Sequence, residues 1–130
     1  MTIEFQISLE DKPGSLAWLG SVLGEADVNF EAIEGRSGRG ITVVHFVASD
    51  TEAAAAALEE SGIPYSKREV VVVNILDQPG AFGDVALVMS EAGINIDCIY
   101  VTVRGDVVLG VDDVEGATQV ASGMAVMKEE

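Results

Sequence analysis

A short segment that could bind a small anion occurs twice in the sequence. Asp11–Gly14 and Asp77–Gly80 share an acid, a proline and a glycine, and each precedes an apolar stretch with helical spacing. Backbone N–H groups at a helix start lack intrahelical acceptors, and with the helix dipole they favour a carboxylate. Gly14 and Gly80 have no Cβ, so a ligand could come close to the backbone there. Both segments are therefore candidate carboxylate sites.

A ligand with a carboxylate could also carry an ammonium group, which would need acceptors. The side-chain oxygens of Asn29 and Asn95 could accept from it, and the carboxylates of Asp11 and Asp77 could add a charge-assisted contact. All four residues also have a purely structural interpretation. The aspartates could instead cap their helices, and the asparagines could be turn residues that lead into a strand.

The sequence offers little that would support catalysis or metal binding. His45 is the only histidine and lies among valines, which favours a core or interface position over a ligand contact. Cys98 is the only cysteine, so the cysteine pair of a metal-binding module is missing. The chain has no nucleophile elbow either. We therefore expect a non-catalytic protein with no metal and no cofactor.

Two further features allow more than one interpretation. The segment Gly35–Gly40 holds two of the four arginines. It is predicted to be a solvated hairpin turn, with contact to an anionic partner as the alternative. Trp18 lies opposite the apolar stripe of its helix, where the second copy of the segment has Asp84. It is a candidate interface residue, although it could simply pack on a loop.

The whole chain repeats with an offset of 66 residues. Matched positions extend well beyond the two segments, as Asn29 with Asn95 and Ile33 with Ile99 illustrate. Such a duplication predicts two structural units, residues 1–66 and 67–130. One core is marginal at this size, and Ser66–Arg68 contains no Gly or Pro linker. The two repeats are therefore expected side by side in a shared antiparallel sheet.

Within each half, the spacing of the apolar residues changes between the period of a strand and the period of a helix. The helices that follow the two segments are predicted to bury the stripes Leu16, Leu19, Gly20, Leu23 and Phe82, Val85, Ala86, Met89, with Pro13 and Pro79 at their first positions. The other predicted elements are strands Thr2–Leu9, Val28–Glu34, Ile41–Ala48, Tyr65–Arg68, Ile94–Val103, Val107–Val111 and Ala125–Met127, a helix capped by Ser49 with Glu52, and a helix from Val114 to about Ser122. The order βαββαβ, twice, predicts an α+β fold of two ferredoxin-like repeats.

One face of each predicted sheet has no helix on it. Thr2, Glu4 and Gln6 make that face polar in the first copy, whereas Val70 and Val72 occupy it in the second. A strand that is apolar on both faces usually packs against something on both sides. We therefore expect a second copy of the chain to cover the open face, which predicts a homodimer.

Composition narrows the partners and the location. The 130 residues carry a net charge of −15, which argues against nucleic acid or an anionic membrane as the main partner. No apolar run approaches the roughly 20 residues of a membrane-spanning helix, and no signal-peptide pattern opens the chain. The single cysteine favours a reducing compartment. A cytoplasmic protein is expected.

The paired motifs resemble those of ACT domains. The resemblance rests on Asp11–Gly14 with Asp27–Phe30, and on Asp77–Gly80 with Gly93–Ile96, and it covers nearly the whole chain. ACT domains are ferredoxin-like modules that bind small effectors, mostly amino acids, and regulate metabolic enzymes. They commonly pair side by side. The resemblance also implies that the asparagine of one domain lies near the helix-start loop of a neighbouring domain.

The predicted function is therefore a sensor or regulatory protein that binds a free amino acid or a similar small carboxylate between ACT repeats. The alternative is a regulatory subunit that docks on an amino-acid biosynthetic enzyme, and an enzyme of this fold is the least favoured reading. The predicted ligand-binding residues are Asp11, Lys12, Pro13, Gly14, Ser15, Leu16 and Asn29 in the first repeat, and Asp77, Gln78, Pro79, Gly80, Ala81, Phe82 and Asn95 in the second.

Overall fold

A computed structural model describes residues 1–124 of the chain. Its elements, in order, are β1 (Thr2–Glu10), α1 (Ser15–Glu25), β2 (Phe30–Gly38), β3 (Ile41–Ala48), α2 (Thr51–Glu60), β4 (Ser66–Val73), α3 (Ala81–Glu91), β5 (Ile96–Val101), β6 (Val107–Val111) and α4 (Val114–Gly123). None of these helices combines the length and the apolar character needed to cross a membrane. The chain forms two compact units, Ile3–Arg68 and the part from Glu69 onward with Met1–Thr2.

The first unit pairs β3 with β1 on one side and with β2 on the other, both antiparallel. Alternating apolar residues turn one face of β1 towards α1 and α2, because side chains alternate along a strand. Phe46 is the centre of this core: its ring stacks on Phe5 at 5.1 Å and meets the edge of Phe30 at 5.1 Å. Leu19, Leu23 and Leu58 close the core from the helices.

The second unit repeats this plan with β6 between β4 and β5. Val73, Met89 and Leu109 are fully buried in its core beneath α3 and α4. The predicted fold class, two ferredoxin-like repeats, is confirmed. A single strand, β4, both ends the first βαββαβ order and begins the second. The predicted last strand, 125–127, lies outside the described residues.

Four local predictions need correction. Leu16 and Phe82 are 57% and 42% exposed, because the face that α1 buries is formed by Ser15, Leu19 and Leu23 and the face that α3 buries by Val85 and Met89. The segment Gly35–Gly40 is mostly strand, since β2 extends to Gly38 and the turn is confined to two residues with positive φ, Arg39 and Gly40.

The remaining two corrections concern a helix cap and a strand face. Asp50 caps α2 by accepting from the Ala53 N–H, whereas Ser49 accepts from the backbone N–H of Asn29. On β1, Glu4 is 1% exposed instead of solvated, with its carboxylate 2.9 Å from Arg68 Nε.

Two valines of the face that was expected to need a second copy of the chain are buried without one. Val70 and Val72 are only 3% and 8% exposed in the single chain. They therefore give no support to a homodimer, which stays a prediction.

Candidate ligand site

The segment before α1 is a tight turn whose geometry explains its sequence. The Ser15 N–H donates to the Lys12 carbonyl at 3.3 Å, which closes a four-residue β-turn. Gly14 has φ 94° and ψ −17°, close to the third position of a type II turn, where glycine is favoured, and Pro13 occupies the second position that proline favours. Pro13 is thus a turn residue that precedes the helix, not its first residue as predicted.

The second repeat builds the same turn from different residues. The Ala81 N–H donates to the Gln78 carbonyl at 3.2 Å, and Gly80 has φ 88°. Pro79 again takes the second turn position. The hydrogen bond from Gln78 N–H to Leu76 O at 2.9 Å likewise repeats the one from Lys12 N–H to Glu10 O at 3.0 Å. The offset seen in the sequence is therefore preserved in the backbone hydrogen bonds.

This turn leaves the helix that follows without a side-chain cap. Gly14 and Gly80 are the N-cap residues, and no side chain caps either helix, so Asp11 and Asp77 do not serve as caps. By contrast, Asp50 and Asp113 cap α2 and α4.

The first backbone donors of α1 therefore remain available. The first helical hydrogen bond joins the Trp18 N–H to the Gly14 carbonyl at 2.9 Å. Within the described residues, the N–H groups of Leu16 and Ala17 have no acceptor in the chain. Such donors, with the positive end of the helix dipole, make a place where an anion is stabilised.

In the first repeat a cavity of about 420 Å³ opens beside this helix start. Its walls come from the end of β1, the turn and the first turn of α1, and the lining residues are Ser8, Leu9, Glu10, Lys12, Gly14, Ser15 and Trp18. Three of the predicted site residues, Lys12, Gly14 and Ser15, therefore share one cavity.

Charged, polar and aromatic side chains line this cavity together. Lys12 Nζ lies 3.0 Å from the Glu10 carboxylate, with both side chains more than half exposed, so the pair holds Lys12 only weakly. The Trp18 ring is 48% exposed. Ser15 is 8% exposed, and its hydroxyl makes no hydrogen bond within residues 1–124 but is reached by solvent. The cavity can thus offer a cation, a hydroxyl and an aromatic surface to one ligand.

Sequence reasoning missed Ser8, Leu9, Glu10 and Trp18 as cavity residues. The alternation of β1 places Leu9 in the core, and nothing in the spacing shows that the strand end joins the site. Trp18 did give a usable indication, since a tryptophan on the polar face of a helix is unusual enough to suggest a contact.

The predicted asparagines lie elsewhere within each repeat. Asn29 precedes β2 and Asn95 precedes β5, and both side chains are exposed. Their backbones are fixed: Asn29 exchanges hydrogen bonds with Ser49, and Asn95 with Asp112. An 11-residue helix separates each asparagine from the turn of its own repeat, a length of about 16 Å. No repeat therefore brings its own asparagine to its own turn.

The other predicted residues surround the two turns. Asp11 is exposed, and its N–H donates to the Gly40 carbonyl at 3.0 Å, which places the hairpin turn of β2 and β3 beside the first site. Leu16 is an exposed apolar side chain next to the turn. In the second repeat Asp77, Gln78 and Phe82 are exposed and Ala81 is half-buried.

His45 belongs to a different part of the first unit. It is half-buried on β3, with Nδ1 2.5 Å from Glu34 Oε1 on β2 and Nε2 3.2 Å from Gln6 Oε1 on β1. The imidazole therefore joins three neighbouring strands of the first unit.

Comparison with solved structures supports this architecture. A protein from Bacteroides thetaiotaomicron superposes with a TM-score of 0.90 at 23% identity, with 98% of this chain and 91% of that chain covered. The regulatory subunit of aspartate kinase from Thermus thermophilus, in its ligand-free form, gives 0.71 at 18% identity over 95% of this chain and 91% of that one. No curated protein matches the chain significantly.

A longer enzyme contains a similar region. Aspartate kinase from Synechocystis gives a TM-score of 0.60 at 17% identity, where 99% of this chain matches 26% of the enzyme. At these identities the structures show a shared fold. The family model for the ACT domain pair, in contrast, matches residues 1–125 directly. With both repeats and both turns accounted for, the chain belongs to the ACT domain pair family.

Proposed function

We propose that this protein is a non-catalytic sensor that binds a free amino acid or a similar small carboxylate at the start of an ACT helix. The observation that carries the proposal is the uncapped helix start behind a Pro-Gly turn, present in both repeats and opening into a cavity in the first. The second helix of each repeat has an aspartate cap instead, so the free donors are specific to one kind of helix start.

In this proposal the ligand carboxylate accepts hydrogen bonds from the N–H groups of Leu16 and Ala17, with the helix dipole adding to the attraction. Asp11 is exposed beside the turn and supplies a negative charge for the ammonium. That an asparagine of a neighbouring repeat completes the site stays a prediction.

Binding would regulate by population shift. A ligand favours the conformations in which its donors are arranged to receive it, and it can shift an equilibrium only by its difference in affinity for the two states. A partner that recognises one of these states would then respond to the ligand concentration. The proposal also includes a metabolic enzyme as partner, a homodimer and a cytoplasmic location.

A second candidate function is that of a regulatory subunit which docks on a metabolic enzyme. The similarity to the separate regulatory subunit of aspartate kinase supports it, since that protein has nearly the same extent as this chain. Co-purification of an enzyme with the tagged chain, together with no response to any amino acid, would favour this candidate over the sensor.

A thermal-shift screen of the twenty amino acids tests the sensor directly. A ligand at 100 times its Kd stabilises the folded state by about 2.7 kcal/mol, which gives a clear rise in melting temperature. We expect at least one amino acid to produce that rise. No shift with any of the twenty at millimolar concentration would contradict the proposed function.

Variants in both repeats show which of the two turns binds the amino acid. Gly14→Val and Gly80→Val distort the two turns, because a β-branched residue is strained at positive φ. The control, Gly62→Val, imposes the same kind of strain at the end of α2, where Gly62 has φ 70°. The proposal predicts lost binding in at least one turn variant and retained binding in the control.

A further inference from the structure

The two helix starts have one backbone and different side chains. At equivalent positions the first repeat has Lys12, Ser15 and Trp18, and the second has Gln78, Ala81 and Asp84. The cation, the hydroxyl and the aromatic ring of the first site therefore have no equivalents in the second. Because the backbones of the duplicated turns match so closely, a difference in binding would arise from side chains such as these.

Ser15 is the most informative of the three residues. It is 8% exposed, yet its hydroxyl has no hydrogen-bond partner within the described chain, and it lines the cavity. Its oxygen is nevertheless reached by solvent, because every buried side-chain nitrogen and oxygen among the described residues has a hydrogen-bond partner. A ligand oxygen in the cavity would take the place of solvent on this hydroxyl, beside the free N–H groups of Leu16 and Ala17. Ala81 offers no such donor.

Charge separates the two sites further. Lys12 stands at the first site in a weak, exposed pair with Glu10, so its ammonium can turn to a ligand carboxylate. Asp84 lies in the first turn of α3. Its negative charge takes advantage of the helix dipole and repels a carboxylate from that same region. The first site thus attracts an anion that the second repels.

The rest of the cavity indicates what kind of carboxylate fits. Trp18 and Leu9 provide apolar surface, and Glu10 and Asp11 add negative charge near the opening. The chain as a whole carries −15, which disfavours a second negative charge on the ligand. A neutral side chain that packs on the Trp18 ring satisfies both conditions.

We infer that each chain binds one ligand, at the first repeat alone, and that this ligand is an amino acid with an uncharged, mainly apolar side chain. Ser15 receives the carboxylate, and Trp18 contacts the side chain. The inference rests on the proposed function, since it specifies the ligand and the number of sites of that same sensor.

Isothermal titration of the full chain with L-leucine, L-phenylalanine and L-aspartate tests this inference. At least one of the first two is expected to bind at one molecule per chain, more tightly than L-aspartate. Ser15→Ala should raise the Kd about tenfold, because one hydrogen bond to a charged group is lost. The matched variant Ala81→Ser in the second repeat should leave the Kd within about twofold, because in this account the second site does not bind the ligand.

A second pair of variants exchanges the residues at the equivalent positions of Trp18 and Asp84. Trp18→Asp, which gives the first site the charge of the second, should weaken binding at least as much as Ser15→Ala. Asp84→Trp should leave both the Kd and the stoichiometry unchanged. Melting curves of all variants verify that they are folded.

The outcomes separate this inference from the proposed function. Two molecules per chain, tighter binding of L-aspartate, or an unchanged Kd in folded Ser15→Ala would overturn the inference while the chain remains an amino-acid sensor. If the first site is empty but Gly80→Val abolishes binding, the inference fails in the same way. If none of the twenty amino acids binds, the proposed function itself fails.

Discussion

The two repeats agree in backbone and disagree in side chains. The turns before α1 and α3 have the same hydrogen bonds and nearly the same glycine φ, 94° and 88°. Of the two turns, only the first is followed by a serine that lines a cavity and by an exposed tryptophan. The comparison shows that duplication has preserved the features required for folding, whereas the groups that would contact a ligand have diverged.

The same contrast appears away from the turns. Glu4 on β1 corresponds to Val70 on β4, and both are buried, but only Glu4 requires an ion pair, with Arg68. At the helix ends, Asp27 and Gly93 both adopt positive φ, of 61° and 75°. At the first of these positions the second repeat has a residue that needs no ion pair, and at the other it has a glycine, which suits positive φ. Exchanging the residues between the repeats tests how much each difference contributes to stability.

The largest expected effect is at the ion pair of Glu4 and Arg68. Arg68→Ala removes the guanidinium, 37% exposed, that lies 2.9 Å from the 1% exposed Glu4 carboxylate. Loss of a hydrogen bond to a charged group typically costs about 1.5–3 kcal/mol of unfolding free energy. Urea denaturation measures this loss of unfolding free energy. The double variant Glu4→Val with Arg68→Ala, which copies Val70, should recover most of the loss; a single variant within about 1 kcal/mol of the parent would refute the assigned role of the pair.

The next effect tests whether the two turns are equivalent. Gly14→Ala and Gly80→Ala should each destabilise the fold by about 1–2 kcal/mol, because left-handed backbone is unfavourable for a residue with a Cβ. Space does not limit the substitution, since no atom lies within 4 Å of an added Cβ at either position.

Gly20 provides the matched control inside α1. It also has no neighbour within 4 Å of an added Cβ, and its φ is not positive. Gly20→Ala should therefore stabilise the helix by about 1 kcal/mol. Thermal denaturation of the three variants compares them, and equal effects at Gly14 and Gly20 would show that the turn imposes no special backbone requirement.

The smallest effect concerns the ends of α1 and α3. Asp27→Gly should stabilise the protein by about 0.5–1 kcal/mol, because glycine suits positive φ and an acid at a helix C-terminus opposes the dipole. Gly93→Asp should destabilise by a similar amount. A chemical denaturation series measures both, and a loss of stability in Asp27→Gly would point instead to a favourable contact of the Asp27 side chain.

The sequence was sufficient for most of the fold. Periodicity and duplication predicted both repeats, and the bounds of β3 and β6 match those in the structure. The errors arise where tertiary contacts override local pattern. Ser49 has the spacing of a cap but pairs with Asn29, 20 residues away. Glu4 fits a solvated face by alternation, yet its partner Arg68 is 64 residues distant.

The candidate site was only partly predictable. Its turn is local, so Asp11–Gly14 could be identified from four consecutive residues. The cavity also needs the end of β1 and the outer face of α1, and no local pattern shows that Glu10 and Trp18 converge there. That Ser15 lines the cavity is likewise visible only once its surroundings are known.

The most direct measurement is an amide NMR titration of the full chain with the amino acid that raises its melting temperature most. The central claim is that the free N–H groups at the start of α1 receive the ligand carboxylate. The account predicts the largest chemical-shift changes at Ser15, Leu16 and Ala17, with little change at the capped start of α2. Saturable binding that leaves these three amides unmoved would contradict it.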